Sequence, residues 1–236
     1  YDGKPHSITV TAPEGAAIQY SANFQANYEN TNPSYTAAGY YTVYYRVTKE
    51  GCYPAYGSAR VNISKKTVNA VLTVAEKTYD GTAVATVTAA VNSGLISGDS
   101  ISITGLTGTF DNANAGENKT VTVNSSGKSI TGTGTDNYTV TIPASATGKI
   151  NPKPITVTAD AKTKTYGEAD PELTYTVDDG GLVGSDTLTG ALTRAPGVNV
   201  GTYAIRQGTL ANSNYTITFV GANLTITQRT IHPSVT

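Results

Sequence analysis

Tyr1-Asp2-Gly3 opens a pattern that returns as Tyr79-Asp80-Gly81 and, altered, as Tyr166-Gly167-Glu168. Each copy runs on to a Gly-led strand: Ala38-Gly39-Tyr40-Tyr41-Thr42-Val43, then Ala115-Gly116 to Thr120-Val121-Thr122-Val123, then Val200-Gly201-Thr202-Tyr203-Ala204-Ile205. Each closes on a Tyr-bearing stretch ahead of a basic seam. These are Tyr53 to Ile63 before Lys65-Lys66, Asn137-Tyr138 to Ile150 before Lys153, and Asn214-Tyr215 to Ile226 before Arg229. A period of this size signals an array of small modules. The seams Lys66-Thr67-Val68, Lys153-Pro154-Ile155 and Arg229-Thr230-Ile231 divide the chain into residues 1–65, 66–152 and 153–228, with 229–236 as the first strand of a further, truncated repeat. Each full piece can bury one modest core and leaves no room for a deep catalytic cleft.

Composition assigns the class. Thr fills 40 of the 236 positions, alongside 16 Tyr and 24 Gly, with no Met and no Trp. Thr, Val, Ile and Tyr suit a pleated, half-buried surface, and Gly and Asn supply the turns. Apolar residues alternate, as in Ile155, Val157 and Ala159 against Thr156, Thr158 and Asp160, and no long window repeats at 3.6 residues. The expected fold is all-β: a tandem array of three small antiparallel β-sandwich, immunoglobulin-like domains of six or seven short strands each. A Tyr just after Ala38-Gly39 has the placement of the tyrosine corner of such sandwiches. The alternative is a β-grasp, whose helix of about ten residues has only Ala89 to Leu95 and Gly181 to Ser185 as short candidates. Neighbouring copies meet with almost no spacer, and Pro152 and Pro154 stiffen the second seam.

Charge excludes some partners. A net charge of −1 with only 14% ionisable residues offers no basic patch for nucleic acid or an anionic membrane. The lone Cys52 permits neither an internal disulfide nor a thiolate metal cage. No apolar stretch reaches transmembrane length, and no signal peptide is present. Copy one begins at its Tyr, without the strand that precedes the motif in the other two. The chain is therefore expected to be an excerpt whose signal and anchor lie outside it.

Catalytic chemistry finds no support. His6 and His232 are the only imidazoles, and neither is set at a repeated spacing from an acid; Cys52 has no base beside it. No catalytic residue and no cofactor is assigned. Asp111, Asn112, Asn114 and Glu117 form a weak calcium candidate, because their oxygens cluster in one loop, although tight turns favour the same residues. Asp178-Asp179 and Asp136-Asn137 are weaker still. The Tyr-Asp-Gly triplets read as an anchoring Tyr followed by a chain reversal. An isopeptide staple involving Lys4 or Lys49 with Asn27 and Glu29 has no fixed geometry in the sequence, and the six Asn-x-Ser/Thr sequons follow from the abundance of Asn and Thr.

One region departs from a plain scaffold. Ten of the nineteen aromatics fall between Tyr20 and Tyr56. Alternation places Tyr41, Val43, Tyr45 and Val47 on one face of a strand, which should be the core, and Tyr40, Thr42, Tyr44 and Arg46 on the other. Tyr40, Tyr44 and Arg46 are accordingly the ligand-binding candidates, offering apolar area and hydroxyls to a sugar or protein.

With these motifs on the page, the chain resembles the MBG and YDG repeat modules found in tandem in large bacterial surface proteins and adhesins. Copy two, with Lys77-Thr78-Tyr79-Asp80-Gly81-Thr82, is similar to the YDG type. Copy three, with Lys164-Thr165-Tyr166-Gly167 and Asn214-Tyr215-Thr216-Ile217, is similar to the MBG type with a Tyr-Gly start. Copy one resembles the shorter repeats of Gram-positive gut bacteria. The resemblance implies an extracellular, cell-surface location, a stalk or adhesin role, and a host or community glycan or protein as partner of the parent protein. It brings no catalytic residues. An unpaired edge in copy one and the orphan segment Arg229 to Val235 also predict weak head-to-tail self-association by strand addition, against which Pro233 argues.

Overall fold

The computed structural model describes residues 1–24, 26–178 and 180–232. The orphan segment beyond His232, with Pro233, and Asp179 of the weaker acidic pair lie outside the described residues. The chain is all-β: among the described residues the helical content is one 3-10 turn, Thr135–Asn137, and no helix spans a β-grasp sheet. Ala89 and Ala90, in one of the two helix-like stretches, lie in strand Val87–Ala90 instead.

Two compact units make up the chain. The first comprises Tyr1–Thr73, Val87–Thr107 and Val123–Ala144, and the second Val74–Thr86, Gly108–Thr122 and the chain from Ser145 onward. The division cuts through residues 66–152, since part of that repeat associates with copy one and part with copy three.

In the first unit, copy one is a three-stranded antiparallel meander of Ala17–Ser21, Gly39–Thr48 and Ala55–Ile63. Its core is Ile8, Val43, Val61 and Ile63, with Tyr20, Tyr35, Tyr41 and Tyr45 packed against it. The face assignment on the long strand therefore holds: Val43 is fully buried, while Tyr40 is 82% exposed. Large rings on a short sheet need space opposite, and Gly57, the cross-strand partner of Tyr45, provides it. A Cβ at Gly57 would stand 2.4 Å from the Tyr45 ring.

Copy one differs from the expected sandwich. It forms three strands, not six or seven, and only Ala55–Ile63 of its closing stretch is a strand. Nothing among its described residues corresponds to the Asn-Tyr strand of copies two and three. Residues 26–33, with three Asn and Pro33, form bends and the isolated bridge of Glu29 to Tyr20 in its place.

The sheet Ser129–Thr131, Ser102–Thr104, Val87–Ala90, Val71–Val74 falls chiefly in the first unit, which also holds a strand pair joining Lys66–Asn69 to Tyr138–Thr141. The sheet Lys77–Thr78, Ser145–Asn151, Gly116–Asn124, Thr107–Phe110, Val84–Ala85 falls chiefly in the second unit. Copy three, entirely in the second unit, forms two sheets. One orders Tyr175–Val177, Lys153–Ala159, Tyr215–Val220; the other orders Lys162–Thr165, Ala222–Thr227, Gly201–Arg206, Thr193–Arg194. Their alternating buried residues, Ile155 and Val157 on one and Ile205, Leu224 and Ile226 on the other, close a sandwich core.

Pairing is not uniformly antiparallel, which corrects the expectation. Lys153–Ala159 runs parallel to Tyr215–Val220, and Lys162–Thr165 runs parallel to Ala222–Thr227. The same two parallel pairs recur in residues 66–151 as Lys66–Asn69 with Tyr138–Thr141 and Lys77–Thr78 with Ser145–Asn151. Parallel neighbours need a long crossover, and here the middle of each repeat supplies it. The tyrosine-corner expectation has a direct counterpart. Tyr41 Oη donates to Ala37 O at 3.1 Å, and Tyr203 Oη, two residues after its own Gly201, donates to Asn199 O at 2.8 Å.

Candidate functional site

The repeated tyrosines do more than anchor a turn. Tyr79 begins the second Tyr-Asp-Gly, and its phenol donates to Asp186 Oδ2 at 2.8 Å. Tyr215 of copy three donates to the same oxygen at 2.6 Å. The two rings meet edge to face, 5.5 Å apart at 79°. An identical joint stands between copies one and two. Tyr1 and Tyr138 donate to Asp99 Oδ2 at 2.8 and 2.7 Å, with rings 5.5 Å apart at 81°. Each joint lies wholly within one compact unit.

Backbone N–H groups join each joint as further donors. The phenol oxygen of Tyr138 accepts Ile96 N–H at 2.8 Å, and that of Tyr215 accepts Val183 N–H at 2.9 Å. Asn137 Oδ1 accepts Ala38 N–H at 2.8 Å, and Asn214 Oδ1 accepts Ala115 N–H at 2.9 Å. The glycine of each Tyr-Asp-Gly has two duties. Gly3 and Gly81 have φ of 75° and 77°, and a Cβ there would lie 2.6 Å from Ile96 Cγ2 or 2.8 Å from Val183 Cγ1. Only glycine satisfies both the backbone and the approach of the neighbouring repeat.

The electrostatics follow from two donors on one carboxylate. Hydrogen bonds from Tyr215 and then Tyr79 hold the Asp186 carboxyl below the usual carboxylate range. Burial, followed by Asp186, pushes the Tyr215 phenol up to about 12. Tyr79 and Tyr1 are raised chiefly by their bonds to Asp186 and Asp99, and Tyr138 chiefly by burial. Neutral phenols are thus favoured in both joints, and a charged carboxylate at Asp186, which suits fastening and not proton transfer.

The sequence candidates sit elsewhere. Tyr44 packs edge-on to Phe24 at 5.4 Å, and Tyr28 to Tyr56 at 6.0 Å. The Arg46 guanidinium lies 5.1 Å above the Tyr28 ring and donates to Gln19 Oε1, and its Nε is buried without a partner among the described residues. Tyr40 projects from the same strand face, so Tyr40, Tyr44 and Arg46 share one surface with the exposed Phe24 and Tyr56.

In the acidic loop, Lys119 binds two of the four candidate side chains. Its ammonium, on a side chain only 8% exposed, reaches Asp111 Oδ1 at 2.8 Å and Asn112 Oδ1 at 2.7 Å. Asn114 Oδ1 accepts from Asn214 Nδ2 at 3.2 Å, and Glu117 pairs with Lys149 at 2.8 Å. His6 does have an acid in reach, since its Nε2 lies 2.9 Å from Asp2 Oδ1. Both side chains are surface groups, and Cys52 is exposed and remote from them in sequence.

Sequence reasoning missed Asp99 and Asp186. The available signal was a Gly-bearing turn at the same place in both repeats, Gly98-Asp99-Ser100 and Gly184-Ser185-Asp186-Thr187. The acid is shifted by one residue between them, so the repeat alignment hides it.

Comparison with known proteins matches residues 64–148 to the YDG domain and residues 155–225 to the MBG domain of YGX type. Among solved structures, the chain aligns with the Bacteroides ovatus mixed-linkage glucan utilization locus SGBP-B in complex with a mixed-linkage heptasaccharide. Identity is 14% over 96% of this chain and 64% of that chain, with a TM-score of 0.17. The chain thus spans less than two thirds of that protein, and an overlap at this TM-score carries no argument about fold or ligand. No curated protein matches the chain.

Proposed function

The chain contains tandem MBG/YDG-type modules, and from that premise we propose that it is a non-catalytic segment of a bacterial cell-surface adhesin, working outside the cell as an elongated stalk that projects a binding region. The supporting observation is the joint. Two successive repeats use the same phenol–carboxylate–phenol arrangement at the same position, and a module evolved to swivel freely would have no use for it. Hydrogen bonds to a charged acceptor are stronger than neutral ones, so two on one carboxylate favour a fixed angle between neighbours. The seams add to this: one residue, Pro152, separates strand Ser145–Asn151 from Lys153–Ala159. Small-angle scattering on the whole chain tests the reading. The stalk requires an elongated particle whose profile broadens in the Asp99→Ala/Asp186→Ala variant; a compact particle with the radius of one 236-residue globule would refute it.

A second reading has its own observation. The face bearing Tyr40, Tyr44 and Arg46 exposes Phe24, Tyr40 and Tyr56 at 68%, 82% and 59%, an uncommon grouping for a surface. Tyrosine rings with hydroxyls at the rim fit a glycan or a partner protein. A glycan array that gives a reproducible hit abolished by Tyr40→Ala and Tyr44→Ala supports direct binding; an array with no hit leaves copy one a spacer.

A further inference from the structure

Copy three builds much of the receiving half of a joint that copies one and two build, with Gly167-Glu168 where Asp-Gly follows Tyr1 and Tyr79. In all three, the main-chain nitrogen of the motif tyrosine donates to the carbonyl of the residue after the Ile that closes the last core-facing stretch: Tyr1, through its α-ammonium, to Ser64, and Tyr79 and Tyr166, through their amides, to Asn151 and Thr227. In copies one and two this half is covered by the next repeat. In copy three no described residue covers it, and Tyr166 is 46% exposed where Tyr79 is 6% exposed. Val200 stands before Gly201 as Ala38 and Ala115 stand before their glycines. Its N–H has no side-chain acceptor among the described residues, whereas theirs meet Asn137 and Asn214. A cavity of about 580 Å3 lies between Tyr166, Asn199, Val200, Gln228, Arg229 and Ile231.

The strand register points the same way. Lys66 stands opposite Tyr138, and Lys153 opposite Tyr215, each pair opening a parallel ladder beside a joint. Arg229-Thr230-Ile231 is the same seam, and it has no strand partner among the described residues.

We propose that the face of Tyr166, Val200 and Arg229 to Ile231 is the receiving half of a third joint, and that its occupant is a further repeat of this class. The occupant is defined by chemistry: an aspartate on a Gly-bearing turn, and an Asn-Tyr strand. Its Asn accepts Val200 N–H, its Tyr runs parallel to the seam opposite Arg229, and its Asp takes the Tyr166 phenol together with its own. Copy one of a second molecule does not qualify, because its described residues contain no Asn-Tyr strand. The proposal rests on the joint reading above.

The test uses tyrosine nitration by tetranitromethane, mapped by mass spectrometry, on the whole chain and on an extended chain. The extension follows residues 1–230 with a second copy of residues 155–232. In the whole chain Tyr166 should be nitrated and Tyr79 protected. In the extended chain Tyr166 should lose its modification down to the level of Tyr79. Asp186→Ala placed in the appended copy alone should restore it. If the first extension fails to fold, a copy of residues 68–151 replaces it, with Asp99→Ala as the control, since both repeat types serve as occupants in this chain. Tyr166 remaining reactive in the folded extension, or staying protected despite loss of the appended aspartate, overturns the third joint. A reactive Tyr79 in the whole chain instead overturns the joint reading itself.

Discussion

A carboxylate that accepts two phenols is a pH-bounded fastener, and Asp186 shows both bounds. Its carboxyl is held below the ordinary carboxylate value by Tyr215 and Tyr79. A depressed acid contributes stability above its unfolded pKa and loses it as pH falls through the folded value, so the joint weakens only in strong acid. Tyr215 sets the other bound. Its phenol is raised from 10.0 to about 12 by burial and then by Asp186. For a raised tyrosine the stabilisation is complete below pH 10, where the unfolded chain is still neutral, and is lost as pH climbs to about 12. Denaturation midpoints followed across pH should therefore be level through neutrality and fall between 10 and 12. Tyr215→Phe should make that alkaline fall smaller, leaving the part owed to the other raised tyrosines, and a fall of the same size in the variant would contradict the assignment.

At the scale of elements, alternation and turn chemistry were legible and long-range pairing was not. The two faces of Gly39–Thr48 follow from a period of two, and Val43 and Tyr40 sit where that period puts them. The parallel ladder of Lys153–Ala159 with Tyr215–Val220 leaves no local mark, because its partners are about 60 residues apart in sequence and no short turn dictates them. The acids escaped for a similar reason: Tyr79 and Asp186 are 107 positions apart, and Tyr1 and Asp99 are 98 apart. In the aromatic cluster, the core rings were separable from the surface rings by alternation, but the seat of Arg46 on Tyr28 depends on a loop whose path the sequence does not reveal. Glycine offers a clean test at this scale. Gly81→Ala forces a side chain into a left-handed backbone and to within 2.8 Å of Val183. It should destabilise by more than the about 1 kcal/mol expected of left-handed strain alone. Gly15→Ala has a φ of 78° but open space around its Cβ, and should show only the strain. Equal losses in urea melts of the two variants would mean the contact across the joint contributes nothing.

At the scale of the whole molecule, stability in a repeat array is the sum of module terms and nearest-neighbour terms. The two joints are the neighbour terms, and they explain why the compact units divide the middle repeat and not the seams. Copy one, whose core among the described residues is Ile8, Val43, Val61 and Ile63, depends most on its neighbour, so weakening the Asp99 joint should separate its unfolding from the rest. The central claim is that Tyr79, Asp186 and Tyr215 act as one fastener between repeats. A double-mutant cycle on Tyr79→Phe and Asp186→Ala, read by urea denaturation of the whole chain, measures it most directly. A fastener gives a coupling of about 1–3 kcal/mol between the two sites. Additive losses, within about 0.5 kcal/mol, would contradict it.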